Sequence, residues 1–116
     1  MPSEQTNVVL AALGAERRRL LTQIDALART HGDIIQASEL VATDDEHDPE
    51  GATIAFEREQ IHALLREARA VLAEVEDAFA RLSAGTYGSC STCGRAIDAH
   101  RLEARPATPW CLDCAR

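Results

Sequence analysis

Aromatic side chains are scarce here: the 116 residues hold one Trp, one Tyr and two Phe. Aromatics contribute the largest buried areas to globular cores. Their scarcity, beside an abundance of Ala, Leu, Glu and Arg, excludes a thick single core and points to long helices packed along a narrow apolar seam. Long apolar runs are missing too. The longest, Val8 to Leu13, falls far short of the roughly 18 residues that suggest a membrane-spanning helix. The first residues, Met1-Pro2-Ser3-Glu4-Gln5, are polar, and no basic stretch followed by an apolar one reads as a secretion signal. The expectation is a cytoplasmic protein with no membrane contact.

A basic excess is the third thing lacking. Lys and Arg number 12 against 19 Asp and Glu, for a formal charge of −7. Proteins that grip nucleic acid normally carry a positive footprint that displaces counterions from phosphate. The stretch after Tyr87 balances Arg95, Arg101, Arg105 and Arg116 against Asp98, Glu103 and Asp113, so no sequence-specific DNA binding is expected. No nucleophile paired with a base can be proposed, and the chain is not expected to be an enzyme.

What is present begins with cysteine. Cys90-Ser91-Thr92-Cys93 and Cys111-Leu112-Asp113-Cys114 are two C-x2-C pairs separated by GRAIDAHRLEARPATPW. Each pair can place two sulfurs on one edge of a tetrahedron, and the spacer lets the second loop close the sphere at a Zn–S distance of about 2.3 Å. With all four positions filled by protein, one structural Zn²⁺ is expected and no open catalytic position. Two disulfides would suit a secreted chain, and a thioredoxin-like redox pair would need a strand and helix around it. Both contexts are lacking. Ile97, Leu102, Trp110 and Leu112 are expected to cluster beside the metal, with Gly94 turning the chain and aiming its amide at a thiolate.

Upstream, apolar residues recur at three-four spacing: Leu10, Leu13, Leu20, Ile24, Leu27, Ile34 and Val41, interrupted by Arg17, His31 and Ser38. A second series runs Ile54, Ile61, Leu65, Ala68, Leu72, Val75, Phe79 and Leu82, interrupted by Arg58. Two such segments joined by a short polar link predict an antiparallel coiled-coil hairpin. His31-Gly32-Asp33 is a soft spot, since Gly costs about 1 kcal/mol in a helix, but the heptad phase continues across it. Asp48 before Pro49 suits an N-cap, with Glu50 in the first turn facing the positive end of the helix dipole. Ser83-Ala84-Gly85 supplies the stop. Residues 49–83 at 1.5 Å rise would make an arm of about 50 Å. The fold expected is mainly α: a hairpin over residues 4–84, and a small four-cysteine zinc-finger module over residues 85–116.

The link between the helices, Thr43-Asp44-Asp45-Glu46-His47-Asp48-Pro49-Glu50-Gly51, concentrates carboxylates. Asp44, Asp45 and Glu46 are not needed for capping. A stiff arm with an acidic tip can present negative charge to a positively charged or metal-bearing site on a partner.

Gly85-Thr86-Tyr87-Gly88 leading into Cys90-x2-Cys93-Gly94, then Arg101-Leu102-Glu103-Ala104-Arg105-Pro106 and Cys111-x2-Cys114, resembles the DksA/TraR (DnaK suppressor) zinc-finger family. The C-terminal half carries the specific motifs; the first helix matches only as a coiled coil. The resemblance implies a regulator that binds RNA polymerase and inserts its coiled coil into the secondary channel toward the catalytic Mg²⁺. It also implies zinc ligation by Cys90, Cys93, Cys111 and Cys114, and a tip formed by Asp45, His47, Asp48, Glu50 and Ala52. This sequence departs from the family's tip motif, D-x2-D-x-A: His47 stands at its first acidic position and Glu50 at its second, ahead of Ala52. The sequence ends two residues after Cys114, before the C-terminal helix of longer members, and guanosine tetraphosphate is not an expected ligand. A monomer is expected, with an adaptor that binds some other protein, or a DNA-binding finger, as the alternatives.

Overall fold

The computed structural model describes residues 3–41 and 49–115, and the side chains of 3–37 and 51–115. Three helices carry the chain: α1 over Ser3–Val41, α2 over Pro49–Ala84 and α3 over Ala99–Ala104. The fold is a long antiparallel coiled-coil hairpin followed by a small four-cysteine module. No strand occurs among the described residues; a single antiparallel bridge joins Ser89 and Ala96.

The helix ends follow from local chemistry. Pro49 opens α2, where its missing N–H costs nothing and its fixed φ already suits a helix. At the other end Gly85 takes φ 76°, a left-handed conformation that a side chain disfavours. Its amide donates to Leu82 O at 3.3 Å and the Thr86 amide to Arg81 O at 2.9 Å. These are the paired bonds of a Schellman cap, which satisfy two carbonyls the helix leaves open. α1 continues through Gly32, as its unbroken heptad phase suggests.

The chain divides into two units, one of Met1–Arg19 with Val71–Arg116 and one of Leu20–Ala70. In the first, Leu13, Val75 and Ala78 are fully enclosed between α1 and α2. Arg17 lies beside them. Its guanidinium is 3.6 Å from a Glu76 carboxylate and 4.5 Å from the centre of the Phe79 ring. The residue that breaks the apolar series in the sequence thus holds the seam from its edge, by a cation over an aromatic face and by charge.

In the second unit, Leu20, Leu65 and Ala68 are buried, while Ile24, Leu27, Ile34, Ile54 and Ile61 are half-buried. Two helices cannot surround a side chain on all sides, so partial burial is the rule where no third element covers the seam. Asp25 and Arg29 pair along α1 at 2.8 Å, an exposed i,i+4 contact of modest value. His31 and His62 meet edge to face, with ring centroids 5.7 Å apart.

The expected seam needs adjustment in three places. Leu10 is 40% exposed, so tight packing begins at Leu13. Ala78, absent from the expected series, is fully buried, whereas its neighbour Phe79 is half-buried beneath Arg17. The small side chain lets the helices approach, and the large one turns to the rim. The side chain of Val41 lies outside the described residues.

Candidate metal centre

Two tight turns present the cysteines. At the first, Gly88 and Gly94 both have positive φ, 88° and 76°. The Cys90 amide donates to Arg95 O at 2.8 Å, and Ile97 N to Gly88 O at 2.7 Å, so the chain doubles back around the Cys90–Cys93 pair. The Gly94 amide donates to Cys90 O at 2.9 Å. It closes the turn by binding a carbonyl, where the sequence reading had it facing a thiolate. The second pair forms a similar turn, closed by Ala115 N to Cys111 O at 3.0 Å. Ser91 N to Pro109 O at 2.8 Å ties the two turns together.

Between them runs α3, capped by Asp98, whose carboxylate accepts the His100 amide at 2.8 Å. From α3, Arg101 reaches the chain ahead of the second pair. Its Nε donates to Trp110 O at 2.9 Å and its Nη2 to Thr108 Oγ1 at 3.3 Å. Thr108 is buried and in turn donates to Trp110 O at 3.3 Å. A guanidinium fork with two directed donors thereby fixes the backbone next to Cys111. Arg81 Nη2, near the end of α2, donates to Ala107 O at 3.2 Å and so joins the module to the helix, while within the module Tyr87 OH donates to Pro106 O at 2.7 Å. Burial raises the Tyr87 pKa, with the Arg81 charge opposing, so the hydroxyl stays a donor.

The four Sγ atoms of Cys90, Cys93, Cys111 and Cys114 all lie within 4.8 Å of one another. A tetrahedral ion with Zn–S bonds of about 2.3 Å places its sulfurs about 3.8 Å apart. Cys93 Sγ and Cys111 Sγ stand at 3.8 Å. The donor set and its spacing fit zinc, and Cys90, Cys93, Cys111 and Cys114 hold one structural Zn²⁺. Cys90 is buried and Cys93 exposed, so the sulfur cluster lies at the edge of the module.

The four thiols differ in how readily they ionise. Amide hydrogens of Cys111, and then of Cys93, point at the Cys90 sulfur and bring its pKa down to about 6. Cys114 moves the opposite way, to about 12, through hydrogen bonds with the neighbouring Cys111 and Cys90 sulfurs. One thiolate forms readily and the last is resisted, because the Cys114 proton is held by the neighbouring sulfurs and burial adds to the cost of its charge. A divalent ion removes that resistance, and binding it releases protons.

Ile97 is buried beside the turns, but Trp110 is 42% and Leu112 64% exposed. The expected four-residue apolar cluster is reduced to Ile97 and a half-buried Leu102. The module relies on metal and hydrogen bonds more than on apolar burial. His100 is exposed and lies 3.7 Å from Glu103, outside the sulfur cluster. Of the expected tip residues, Asp45, His47 and Asp48 lie outside the described residues, as does the side chain of Glu50; Ala52 is exposed in the first turn of α2.

Residues 85–116 match the prokaryotic dksA/traR C4-type zinc finger. The transcription factor DksA2 of Pseudomonas aeruginosa superposes with a TM-score of 0.79 at 25% identity, over 99% of this chain and 83% of that one. The RNA polymerase-binding transcription factor DksA of Haemophilus influenzae is 34% identical over 69 residues, covering 57% of this chain and 48% of its own. The module is thus of the dksA/traR zinc-finger type, and the chain as a whole is similar in fold to a DksA protein. An uncharacterised protein of Aquifex aeolicus is 44% identical over 46 residues, 40% of this chain and 32% of its own. The matches thus span about half and about a third of these two curated relatives.

Arg101 and Thr108 are the structural residues of the module that spacing arguments pass over. Arg101 counts only as one charge in a balanced set when the sequence is read for an electrostatic patch. Its position within Arg101-Leu102-Glu103-Ala104-Arg105-Pro106, midway between the cysteine pairs, was the available signal.

Proposed function

We propose that this chain regulates transcription by binding RNA polymerase directly and reaching into its secondary channel with the link between α1 and α2. The observation that carries this reading is the likeness over 99% of the chain, at a TM-score of 0.79, to a protein described as a transcription factor. The Haemophilus relative, described as RNA polymerase-binding, supports the same partner. The formal charge of −7 argues against a DNA-gripping finger.

In this reading the zinc module anchors the protein and the hairpin presents its acidic link. A narrow channel that ends in Mg²⁺ favours carboxylates on a thin support, since low-dielectric walls strengthen and focus the field. Asp45, Asp48 and Glu50 supply negative charge, His47 stands at the first acidic position of the family motif, and Ala52 follows in the first turn of α2. None of them forms or breaks a covalent bond; they alter the stability of promoter complexes electrostatically. The protein acts as a monomer in the cytoplasm, without contacting DNA by sequence. The test combines size-exclusion co-elution with purified polymerase and a transcription assay on the Asp48→Ala/Glu50→Ala double variant. Retained binding with a lost effect is the expected outcome. Failure of the wild type to co-elute refutes the reading, and capture of a different protein partner favours an adaptor.

A further inference from the structure

In the unit Leu20–Ala70, His31 and His62 meet across α1 and α2, with ring centroids 5.7 Å apart and planes inclined at 73°. His31 occupies a heptad position of the α1 apolar series, where the pattern calls for an aliphatic residue. It is half-buried and His62 exposed, so the pair opens to solvent and an ion has a way in.

We propose that His31 and His62 form a second metal site, a two-imidazole clip for a nitrogen-preferring divalent ion (Cu²⁺, Ni²⁺ or Zn²⁺) that joins α1 to α2 independently of the cysteine cluster. An ion about 2.0–2.1 Å from each donor nitrogen lies roughly 3.2 Å from each ring centre, so two rings sharing it sit about 4.5–6 Å apart. The observed 5.7 Å falls inside that range. Inclined planes let both rings approach without stacking.

The surrounding charges set the selectivity. Arg58 and Arg66 stand one turn to either side of His62 and oppose any cation, while Glu59, three residues before it, favours one. On α1 the residues one turn from His31 are Leu27, Ala28, Ile34 and Ile35, which are uncharged. With little net field to help, binding depends on the metal–imidazole bonds themselves. That excludes Mg²⁺ and Ca²⁺, which prefer oxygen, and ranks Cu²⁺ above Ni²⁺. Two protein ligands leave the remaining positions to water, so this site is weaker than the four-thiolate one and responds to changing metal supply.

The site is tested by titrating Ni²⁺ into the full, zinc-loaded chain, with native mass spectrometry to count both metals. One Ni²⁺ per chain is expected, with one Zn²⁺ retained. Since even the loss of a residue that only orients a ligand costs metal sites about 10–100-fold, His31→Ala and His62→Ala should each weaken Ni²⁺ binding by at least about ten-fold, whereas His47→Ala and His100→Ala should leave it unchanged. Ni²⁺ should also raise the melting temperature of the wild type but not of His62→Ala. Uptake unaffected by His31→Ala or His62→Ala overturns the proposal. Absence of uptake by the wild type, or Ni²⁺ entering only as Zn²⁺ leaves, does so as well.

Discussion

Replacing Arg101 with Met keeps much of the side chain's length and removes its two donors. In the native module those donors serve Trp110 O at 2.9 Å and Thr108 Oγ1 at 3.3 Å, the latter on a buried residue. A hydrogen bond from a charged donor contributes about 1.5–3 kcal/mol net. The Trp110 carbonyl keeps a weaker partner in the Thr108 hydroxyl, so part of the loss is recovered. A net cost of about 2 kcal/mol follows. Because a small module of this kind folds around its metal, that cost falls on zinc binding. At 1.4 kcal/mol per factor of ten, it corresponds to roughly 30-fold weaker zinc affinity. Competition against a chromophoric chelator at fixed pH measures it. Arg101→Lys should recover only part of the affinity, since an ammonium cannot direct two planar donors at once. A change of less than about 3-fold in Arg101→Met, which is under 1 kcal/mol, would refute the reasoning that this fork fixes the second cysteine turn.

Leu13 is fully enclosed, and Leu13→Ala should destabilise the hairpin by about 3 kcal/mol in urea unfolding; Leu10→Ala, at a partly exposed position, should cost well under half of that. Gly85→Ala places a side chain at φ 76°, so a loss of about 1 kcal/mol is expected, read as a lower melting temperature. Holding zinc requires the four thiols to lose their protons, so zinc affinity, measured by chelator competition over a pH series, should fall as pH drops below the ordinary cysteine range. An affinity independent of pH would contradict four-thiolate ligation.

The features legible in the sequence were those with short-range rules. Two C-x2-C turns, the proline start and glycine stop of α2, and the continuous heptads of α1 each depend on a handful of neighbouring residues. Hidden features depended on how distant segments meet. Ala78 could be recognised as a core residue only once the interhelical spacing was known, because a small side chain is buried by close approach and not by its own hydrophobicity. Arg17 and His31 looked like interruptions of the seam, yet each meets a residue of α2. Trp110 and Leu112 looked like core by residue type, but a module stabilised by metal and by Arg101 has no need to bury them. The Gly94 amide binds the Cys90 carbonyl and not a sulfur, because the turn geometry brings that carbonyl within reach.

The central claim is that the link between α1 and α2 works at the active centre of RNA polymerase while the zinc module stays outside. Photo-crosslinking tests it most directly, with a photoreactive amino acid at Ala52 or at Asp98 in the zinc-loaded chain bound to polymerase. The account predicts that position 52 labels polypeptide lining the catalytic Mg²⁺ and position 98 labels only the outer surface. Crosslinks from position 98 into the active centre, with none from position 52, would contradict it.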